Sequence, residues 1–377
     1  MDDYLVIGAG ISGAAAAFEL AAHGATILLE AENAPGYHST GRSAALYTRH
    51  FGGPVVRRIN RASAAFFEAP PPGFDDRPLV SPRGGLTVAA PGEEQALAAS
   101  LAAIARDAGP GHGVREIARE DALTLAPVLR LERVAAATYE AGVRDIDVAA
   151  LHQAYLRGFK ERGGRLLANR RIASLERRGG SWRAVTGRDG EIFDTRVVVN
   201  AAGAWAGAIG ALASASDIGL VAKKRTAIVL DAPEGMDARE MPVVDYVATD
   251  AYLKPDAGRI MVSPGDATPC EPQDAQPDEY DIAVLAEWVM AETRIPVRRI
   301  AHSWAGLRSF VRDEAPVVGF DAAVPDFFWL AGQGGYGIMM APALARATAS
   351  LVVSGAWPSE LLGHGVQAAD VSPERLA

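Results

Sequence analysis

The fold is decided near the N-terminus by the stretch Tyr4-Leu-Val-Ile-Gly8-Ala-Gly10-Ile-Ser-Gly13. Four apolar residues predict a short buried strand, and a G-x-G-x-x-G run follows it directly. An alanine-rich segment, Ala14–Ala22, predicts a helix, and Thr26–Leu29 predicts a second strand that leads into Glu30. Because this order is β-α-β, we expect a parallel sheet that starts at residue 4.

The glycines suit a dinucleotide. Gly8 permits a tight turn, Gly10 lets the backbone approach a pyrophosphate, and Gly13 allows the helix and strand to pack closely. The helix N-terminus then faces the phosphates. Glu30 comes 22 residues after Gly8, where it can accept a hydrogen bond from a ribose hydroxyl and would repel a 2′-phosphate. The motif disfavours NADP but does not distinguish FAD from NAD.

Composition narrows the class of protein. The 377 residues predict two domains, or one domain with a large insertion. A net charge of −9 without a Lys/Arg block argues against a nucleic-acid partner. The single cysteine, Cys270, excludes a disulfide within the chain and suits the cytoplasm. We find neither a signal-peptide pattern nor an apolar run of membrane-spanning length, so we expect a cytoplasmic protein with no transmembrane segment.

The remaining pattern alternates helices and strands. Residues 32–53 predict a long functional loop, and residues 268–281 a polar one. Strands are expected at 79–89, at 197–199 and within 222–263, and helices at 55–67, 93–105, 151–161, 280–292 and 338–353. The mixture predicts an α/β chain in which a second domain, built on a more antiparallel sheet, interrupts the dinucleotide domain.

Five stretches, in order along nearly the whole chain, carry a family resemblance: Pro35–Ala45 with its His-Ser-Thr-Gly-Arg run, Val197–Trp205, Tyr252–Gly258, Ala305–Phe310 and Gly332–Ile338. The chain resembles the D-amino-acid oxidase superfamily of flavoproteins, and more narrowly the bacterial FAD-dependent D-arginine dehydrogenases. The resemblance implies a Rossmann-like FAD-binding domain formed by residues 1–80, 145–218 and 303–377. It implies a substrate domain formed by residues 81–144 and 219–302, on a mostly antiparallel sheet.

The same resemblance implies a set of FAD-binding residues. They are Gly8, Gly10, Ile11, Ser12, Gly13, Glu30, Ala31, His38, Ser39, Thr40, Gly41, Arg42, Ser43, Ala44, Ala45, Leu46, Thr48, Ile172, Ala201, Ala202, Gly203, Trp205, Arg308, Gly334, Gly335, Tyr336, Gly337, Ile338 and Met339. Small residues let a planar cofactor approach the backbone, and the helix after Gly337 would direct its positive end at the flavin. Some relatives attach FAD through a histidine in a loop like that of His38; we expect non-covalent FAD.

The resemblance also implies the chemistry. Arg225 and Arg308 match positions that hold a substrate α-carboxylate, Tyr252 matches a hydroxyl donor to it, and the Gly335 carbonyl matches the group that orients the amine. A bidentate guanidinium fixes a carboxylate in orientation as well as position. The implied reaction is oxidative deamination of a D-amino acid, by hydride transfer from Cα to flavin N5, giving an imino acid that hydrolyses to the 2-oxo acid.

Side-chain specificity departs from the D-arginine dehydrogenase pattern. Gly85 stands where that family has a glutamate for the guanidinium, and Leu46 and Phe51 replace a histidine and a tyrosine. With Val243 as a further wall residue, we expect a more apolar pocket and a poor D-arginine substrate. Asp245 opposes this expectation, because it is able to restore an anion from another side.

Several alternatives stay open. The arginine pair would also serve an N-methylated glycine, a cyclic imino acid or a 2-hydroxy acid. A non-catalytic FAD-binding protein is a less favoured alternative. The electron acceptor is either a quinone or another acceptor, as in dehydrogenases, or oxygen, as in oxidases.

Overall fold

The computed structural model describes residues 1–109 and 111–377. In chain order, the helices and strands within those ranges are β1 Asp2–Ile7, α1 Ile11–Leu20, β2 Thr26–Leu29, β3 Leu46–Tyr47, α2 Pro54–Glu68, β4 Val80–Pro82, β5 Gly85–Ala89, α3 Glu94–Ala108, β6 Val114–Ile117, α4 Arg119–Leu125, β7 Ala136–Glu140, β8 Arg144–Ile146, α5 Val148–Glu161, β9 Arg165–Leu167, β10 Ile172–Arg178, β11 Ser181–Thr186, β12 Ile192–Asn200, α6 Ala206–Leu212, β13 Val221–Asp231, β14 Val243–Tyr246, β15 Tyr252–Asp256, β16 Arg259–Ser263, β17 Thr268–Cys270, α7 Glu279–Glu292, β18 Ile300–Phe310, β19 Val317–Phe320, β20 Phe327–Ala331, α8 Gly337–Ser354 and α9 Ser359–Gly363.

The first large sheet has a parallel centre. Strand β1 pairs in parallel with β2 on one side and with β12 on the other, and β9 and β20 extend the two edges. Antiparallel strands flank this centre, with the β10–β11 hairpin beside β12 and β19 beside β20. Helices α1, α2, α5 and α8 pack together in the core against this sheet. Because its faces are covered, the central strands are continuous apolar runs, as the sequence predicts.

The second large sheet is mostly antiparallel. Its order is β17-β13-β16-β15-β14-β5-β7-β6, with β18 also paired to β13, and the pair formed by β14 and β5 is parallel. Leu86, Val88, Val244 and Leu253 point from one face into a core shared with α7. Side chains at the alternate positions point from the other face. The predicted mixed α/β fold with a second, mostly antiparallel sheet is confirmed.

Two local predictions differ from the structure. Helix α1 begins at Ile11 rather than at Ala14, because Gly10 already serves as its N-cap. The predicted polar loop at 268–281 is wrong at both ends: Thr268–Cys270 pairs with β13, and α7 begins at Glu279 after its N-cap Asp278. Strand β18 lies across the proposed domain boundary at residue 303, and the division into domains stays a prediction.

Helix α8 is the one helix in the described ranges whose length and apolar composition would allow it to cross a membrane. Most of it is buried within the protein, against α1 and α2. A buried core helix passes the same test of composition, so this helix is weak evidence for a membrane span.

Candidate active site

A cavity of about 810 Å³ is lined by residues from both large sheets. One end is formed by the turn between β1 and α1 and by the carboxyl end of β2. The other end is formed by the face of the second sheet that points away from its core. Ligands of open parallel sheets bind at the carboxyl ends of the strands, which is where the first end of this cavity lies.

The turn before α1 leaves its peptide groups open to the cavity. Gly8 has φ +99°, and a Cβ there would lie 2.6 Å from the carbonyl oxygen of Ala201. A Cβ on Gly13 would lie 1.8 Å from the carbonyl oxygen of Gly8, so neither glycine is replaceable without movement of the backbone. Helix α1, which is described throughout, has no side-chain cap and no acid in its first turn. Its positive end therefore suits a phosphate.

Glu30 closes this end of the cavity. One carboxylate oxygen accepts a hydrogen bond from Ala9 N at 2.9 Å, and the other accepts one from Glu32 N at 3.0 Å. Backbone donors thus fix the carboxylate beside the glycine turn, in the position that the ribose prediction requires.

The loop after β2 is attached to both sheets. Thr40 Oγ1 accepts a hydrogen bond from Ile11 N at 3.0 Å, and Ser39 Oγ donates to Leu307 O at 2.6 Å. Arg42 lines the cavity, but its guanidinium donates to the carbonyl oxygens of Ala275 and Ala305 and pairs with Asp274. The FAD-binding role that the resemblance implies for Arg42 stays a prediction. Its guanidinium joins the loop to the second sheet.

The cavity wall beside α8 is rich in glycine. Gly334 has φ +54° and its N–H donates to Ser309 O at 2.8 Å, which brings the glycine loop against β18. Gln333, which sequence analysis missed, accepts a hydrogen bond from Ser12 Oγ at 2.6 Å and so connects this loop to α1. Helix α8, also described throughout, begins at Gly337 after its N-cap Tyr336, without a side-chain cap or an acid in its first turn. A second positive helix end therefore borders the cavity.

The second sheet supplies the residues that are predicted to contact the substrate. Arg225 of β13 lies opposite Gly306, and Lys223 lies opposite Arg308 of β18. Tyr252 of β15 lies opposite Asp245 of β14. Because residues two apart on a strand share a face, this register brings Arg225, Arg308, Tyr252 and Asp245 to the cavity, which they all line.

The two arginines have little charge compensation among the residues that the structure describes. Within the described ranges, the one carboxylate at ion-pair distance from either is Asp266, whose Oδ1 is 3.9 Å from Arg225 Nε. The Arg225 side chain is 12% exposed, and its Nε makes no hydrogen bond to any described residue. Burial, and then the neighbouring Arg308, lower the pKa of the Arg225 guanidinium. Buried like charges without a partner indicate a site for an anion.

Two carboxyl groups on strands of the second sheet also line the cavity. Asp245 was considered in the sequence, but Glu140 at the end of β7 was missed, although strand alternation from Thr138 would have placed it on the same face. Burial raises the pKa of each group to about 7. The pocket therefore has two acids beside its apolar residues, and the expected poor use of D-arginine stays a prediction.

Most predicted site residues meet at this cavity. The cavity is lined by every residue that was predicted to hold the substrate or to form its side-chain pocket. It is also lined by every predicted FAD-binding residue except Gly13 and Gly41. These two glycines act through the backbone instead, since Gly41 N donates to Gly36 O at 2.8 Å. Phe51 is 40% exposed and its ring centroid is 5.4 Å from that of Tyr336, so it lies at the rim.

The family model of FAD-dependent oxidoreductases called DAO matches residues 3–351. The chain belongs to this family. Three similar structures of known proteins share the DAO fold. L-proline dehydrogenase from P. horikoshii has a TM-score of 0.82 at 23% identity, over 99% of this chain and 97% of that chain. L-α-glycerophosphate oxidase from Mycoplasma pneumoniae, solved with FAD bound, has a TM-score of 0.84 at 17% identity, over 93% and 94%.

The third structure is iminodiacetate oxidase from Chelativorans sp. BNC1, with a TM-score of 0.78 at 22% identity, over 98% of both chains. Among curated relatives, bovine (Bos taurus) FAD-dependent oxidoreductase domain-containing protein 1 is 28% identical over 42% of this chain and 36% of its own length. Human (Homo sapiens) mitochondrial sarcosine dehydrogenase is 23% identical over 69% of this chain and 30% of its own length. The matched part thus spans about a third of these relatives.

The cavity fits the FAD on which this family depends. The uncapped end of α1 and the fixed Glu30 carboxylate suit the pyrophosphate and ribose, and the glycine wall beside α8 suits the flat ring system. The predicted cofactor is confirmed; the individual contacts to it stay predictions.

Proposed function

We propose that the protein oxidises an amino acid at Cα, with a D-amino acid as substrate on the strength of the resemblance to D-arginine dehydrogenases. The observation that carries the proposal is the pair Arg225 and Arg308, two guanidinium groups at the cavity without a close counterion among the described residues. A substrate carboxylate would supply that counterion and be held by charge-assisted hydrogen bonds.

The surrounding groups have complementary roles. Tyr252 is 9% exposed, lines the same cavity, and would donate its hydroxyl to the carboxylate. Gly335 lies against Arg308, since a Cβ there would be 2.8 Å from Arg308 Nη1, and its carbonyl oxygen would accept a hydrogen bond from the substrate amine. Together these groups orient Cα, which is the main contribution that a protein makes to a cofactor reaction.

The bonds and electrons balance with one cofactor. Bound FAD supplies the acceptor for the hydride that leaves Cα. A protonated substrate amine first loses a proton to water. The nitrogen lone pair then forms the double bond to Cα as the hydride leaves, and one of the two N–H protons of this iminium is released to water. Hydrolysis of the imino acid then gives the 2-oxo acid and ammonia. Two of the similar structures named above support an amino-acid substrate, because proline and iminodiacetate occur in their names.

A second candidate is the oxidation of an N-methylated glycine. The match to human sarcosine dehydrogenase over 69% of the chain favours it, and the arginine pair would hold this carboxylate equally well. Cyclic imino acids and 2-hydroxy acids are further alternatives with the same carboxylate. A non-catalytic FAD-binding protein is less favoured, because it would give no reason for two uncompensated guanidinium groups at the cavity.

The test is anaerobic bleaching of the flavin by D- and L-amino acids, sarcosine, proline and 2-hydroxy acids. We expect D-amino acids to reduce the flavin and their L-enantiomers not to do so. Reduction by sarcosine or a 2-hydroxy acid alone would replace the proposed substrate, and no reduction by any of these compounds would refute the proposal. Oxygen consumption during turnover then separates an oxidase from a dehydrogenase that uses a quinone or another acceptor.

We also propose that FAD is held without a covalent bond. His38, the candidate for attachment, has its Nε2 3.2 Å from Glu32 Oε1 and its ring 4.5 Å from that of Trp205. The His38 ring thus contacts protein side chains through its Nε2 and through its face, which supports a packing role for His38. Acid precipitation would release the flavin into the supernatant if this is correct.

A further inference from the structure

We propose that His152 is a positioning residue for the cofactor. Its imidazole N–H fixes the peptide between Ala9 and Gly10, so that the Gly10 N–H faces the pyrophosphate of FAD. The inference concerns how this chain holds FAD and does not depend on which substrate the protein oxidises. Neither the glycine motif nor the family resemblance assigns a role to His152, which is 143 residues from Ala9 in the chain.

His152 is a polar residue in an apolar part of the core. It lies on α5, it is 5% exposed, and its neighbours Leu151 and Tyr155 are completely buried. Its Nε2 lies 2.9 Å from Ala9 O, and no other described residue forms a hydrogen bond with the ring. Because a buried polar group is costly unless it is hydrogen-bonded, this contact accounts for the orientation of the imidazole.

The hydrogen bond requires a proton on Nε2. Burial lowers the pKa of His152 below its ordinary value of 6.5, although the hydrogen bond to Ala9 acts in the opposite direction. The ring is therefore neutral at pH 7 and carries one N–H. Because a carbonyl oxygen can only accept a hydrogen bond, the proton of the neutral ring is on Nε2 and Nδ1 is unprotonated.

This contact determines where the next N–H group points. The peptide between Ala9 and Gly10 is trans and planar, so its C=O and N–H point in opposite directions. The carbonyl points toward His152 on α5, and the Gly10 N–H therefore points away from α5. Gly10 lines the cavity, and no described residue accepts a hydrogen bond from its N–H. The N–H groups of Ala9 and Ile11, by contrast, donate to side-chain oxygens of the protein, which leaves that of Gly10 for a ligand.

His152 also keeps the Ala9 carbonyl out of helix α1. In a regular α-helix this carbonyl would accept a hydrogen bond from the N–H four residues later, that of Gly13. Instead the first bond of α1 runs from Ala14 N to Gly10 O at 2.9 Å, and Gly13 N has no acceptor among the residues that the structure describes. Loss of the His152 donor would favour the additional helical bond. The peptide between Ala9 and Gly10 would then turn and withdraw the Gly10 N–H from the cavity.

The imidazole also contacts the loop that follows β2. A Cβ on Gly36, which has φ +78°, would lie 3.0 Å from His152 Cε1 and 3.2 Å from His152 Nδ1. The loop backbone thus packs directly on the ring, and Gly36 O accepts a hydrogen bond from Gly41 N at 2.8 Å within the same loop. Gly36 and Gly10 both line the cavity. One buried side chain therefore fixes two backbone segments that border the predicted FAD site.

Two substitutions separate the hydrogen bond from the packing of the ring. His152→Met removes the donor and keeps an apolar side chain of similar size, whereas the amide nitrogen of His152→Gln can take the place of Nε2 and donate to Ala9 O. We expect His152→Met to weaken FAD binding at least about tenfold, the loss of one well-placed hydrogen bond, and His152→Gln to restore most of it. Fluorescence of the flavin that is released on dilution measures the affinity. The control Gln153→Met changes the next, exposed residue of α5 and should match wild type.

Phosphorus NMR of the FAD-loaded variants shows whether the effect reaches the pyrophosphate. The two phosphorus resonances should shift in His152→Met and keep their wild-type positions in His152→Gln and Gln153→Met. Equal FAD affinity and unchanged phosphorus resonances in His152→Met would overturn the proposal. Equal losses of FAD in the Met and Gln variants would also overturn it, because they would show that the ring acts by packing alone.

The wild-type protein provides a test that does not depend on a variant with a methionine in the core. Nitrogen NMR of FAD-loaded protein with labelled histidine distinguishes the two neutral forms of the ring. We expect a protected Nε2–H signal at neutral pH that is missing from the spectrum of His152→Gln. A His152 ring protonated on Nδ1 instead would refute the proposal, because its Nε2 would have no proton to donate to Ala9 O.

Discussion

Replacing Arg308 by Met should lower activity and leave the folded state as stable or more stable. Arg308 and Arg225 are diagonal neighbours on β18 and β13, a relation that places side chains about 7–8 Å apart. At an effective dielectric constant of about 20, two positive charges at this distance repel each other by about 2 kcal/mol. The variant Arg308→Met relieves that repulsion in the ligand-free protein.

The same change removes half of the proposed carboxylate clamp. Loss of one partner from a buried charged hydrogen-bonded pair costs about 2–5 kcal/mol, which corresponds to a decrease of roughly 30- to 4000-fold in kcat/KM. Anaerobic reduction of the flavin by D-amino acids measures this loss, and thermal unfolding of the FAD-loaded protein measures stability. The control is Arg239→Met, since the Arg239 side chain is 73% exposed.

Lower kcat/KM together with unchanged or higher thermal stability would indicate that charge repulsion in the binding site destabilises the ligand-free protein. An Arg308→Met protein with wild-type kcat/KM for every amino acid would refute the clamp. A protein that unfolds more easily and loses activity in proportion would show that Arg308 has a structural role, because a guanidinium that stabilises the fold must have a partner that the geometry does not provide.

Three further predictions concern the cofactor and the acids. Gly13→Ala places a Cβ 1.8 Å from a backbone carbonyl oxygen and should give protein with little flavin absorbance, whereas Gly207→Ala, where no atom lies within 4 Å of the added Cβ, should retain it. Burial beside other acids raises the pKa of Asp245 from 3.8 to about 7, so the folded state holds a proton that the unfolded state has lost. The free energy of unfolding should therefore fall as the pH rises from about 4 to 7, and Asp245→Asn should stabilise the ligand-free protein at pH values above about 7 but not near pH 4, in urea titrations. Arg42→Met breaks the link between the cofactor loop and the second sheet and should weaken FAD binding, measured by fluorescence of the released flavin; unchanged retention would show that the loop is held by its other contacts.

Local sequence patterns were sufficient to predict the glycine turn and Glu30 at one end of the cavity. The strand, glycine turn and helix that follow Tyr4 are consecutive in the chain, and their spacing alone specifies the turn that a pyrophosphate needs. Glu30 was recognisable because its distance along the chain from Gly8 is fixed by one helix and one strand. The mistaken start of α1 at Ala14 came from reading alanine content, while the N-cap is a matter of backbone conformation at Gly10.

The part of the cavity around Gly85 and Glu140 could not be predicted from local patterns. Gly85 was correctly seen to lack a carboxylate, but Glu140 lies opposite it only because β7 pairs with β5 in one particular register. A shift of that pairing by one residue would turn Glu140 to the other face of the sheet. The contacts of the Arg42 guanidinium were not predictable for a related reason, since Asp274 and Ala275 are far from Arg42 in the chain.

The sequence by itself determined the parallel β-α-β start, the glycine turn and hence the class of cofactor, because each depends on contacts between residues close together in the chain. Only the tertiary structure decided that two arginines and two acids line one cavity from the same face of the second sheet. Those contacts depend on paired strands up to about 160 residues apart in sequence, and their register is set by the packing of whole sheets, not by the identity of neighbouring residues.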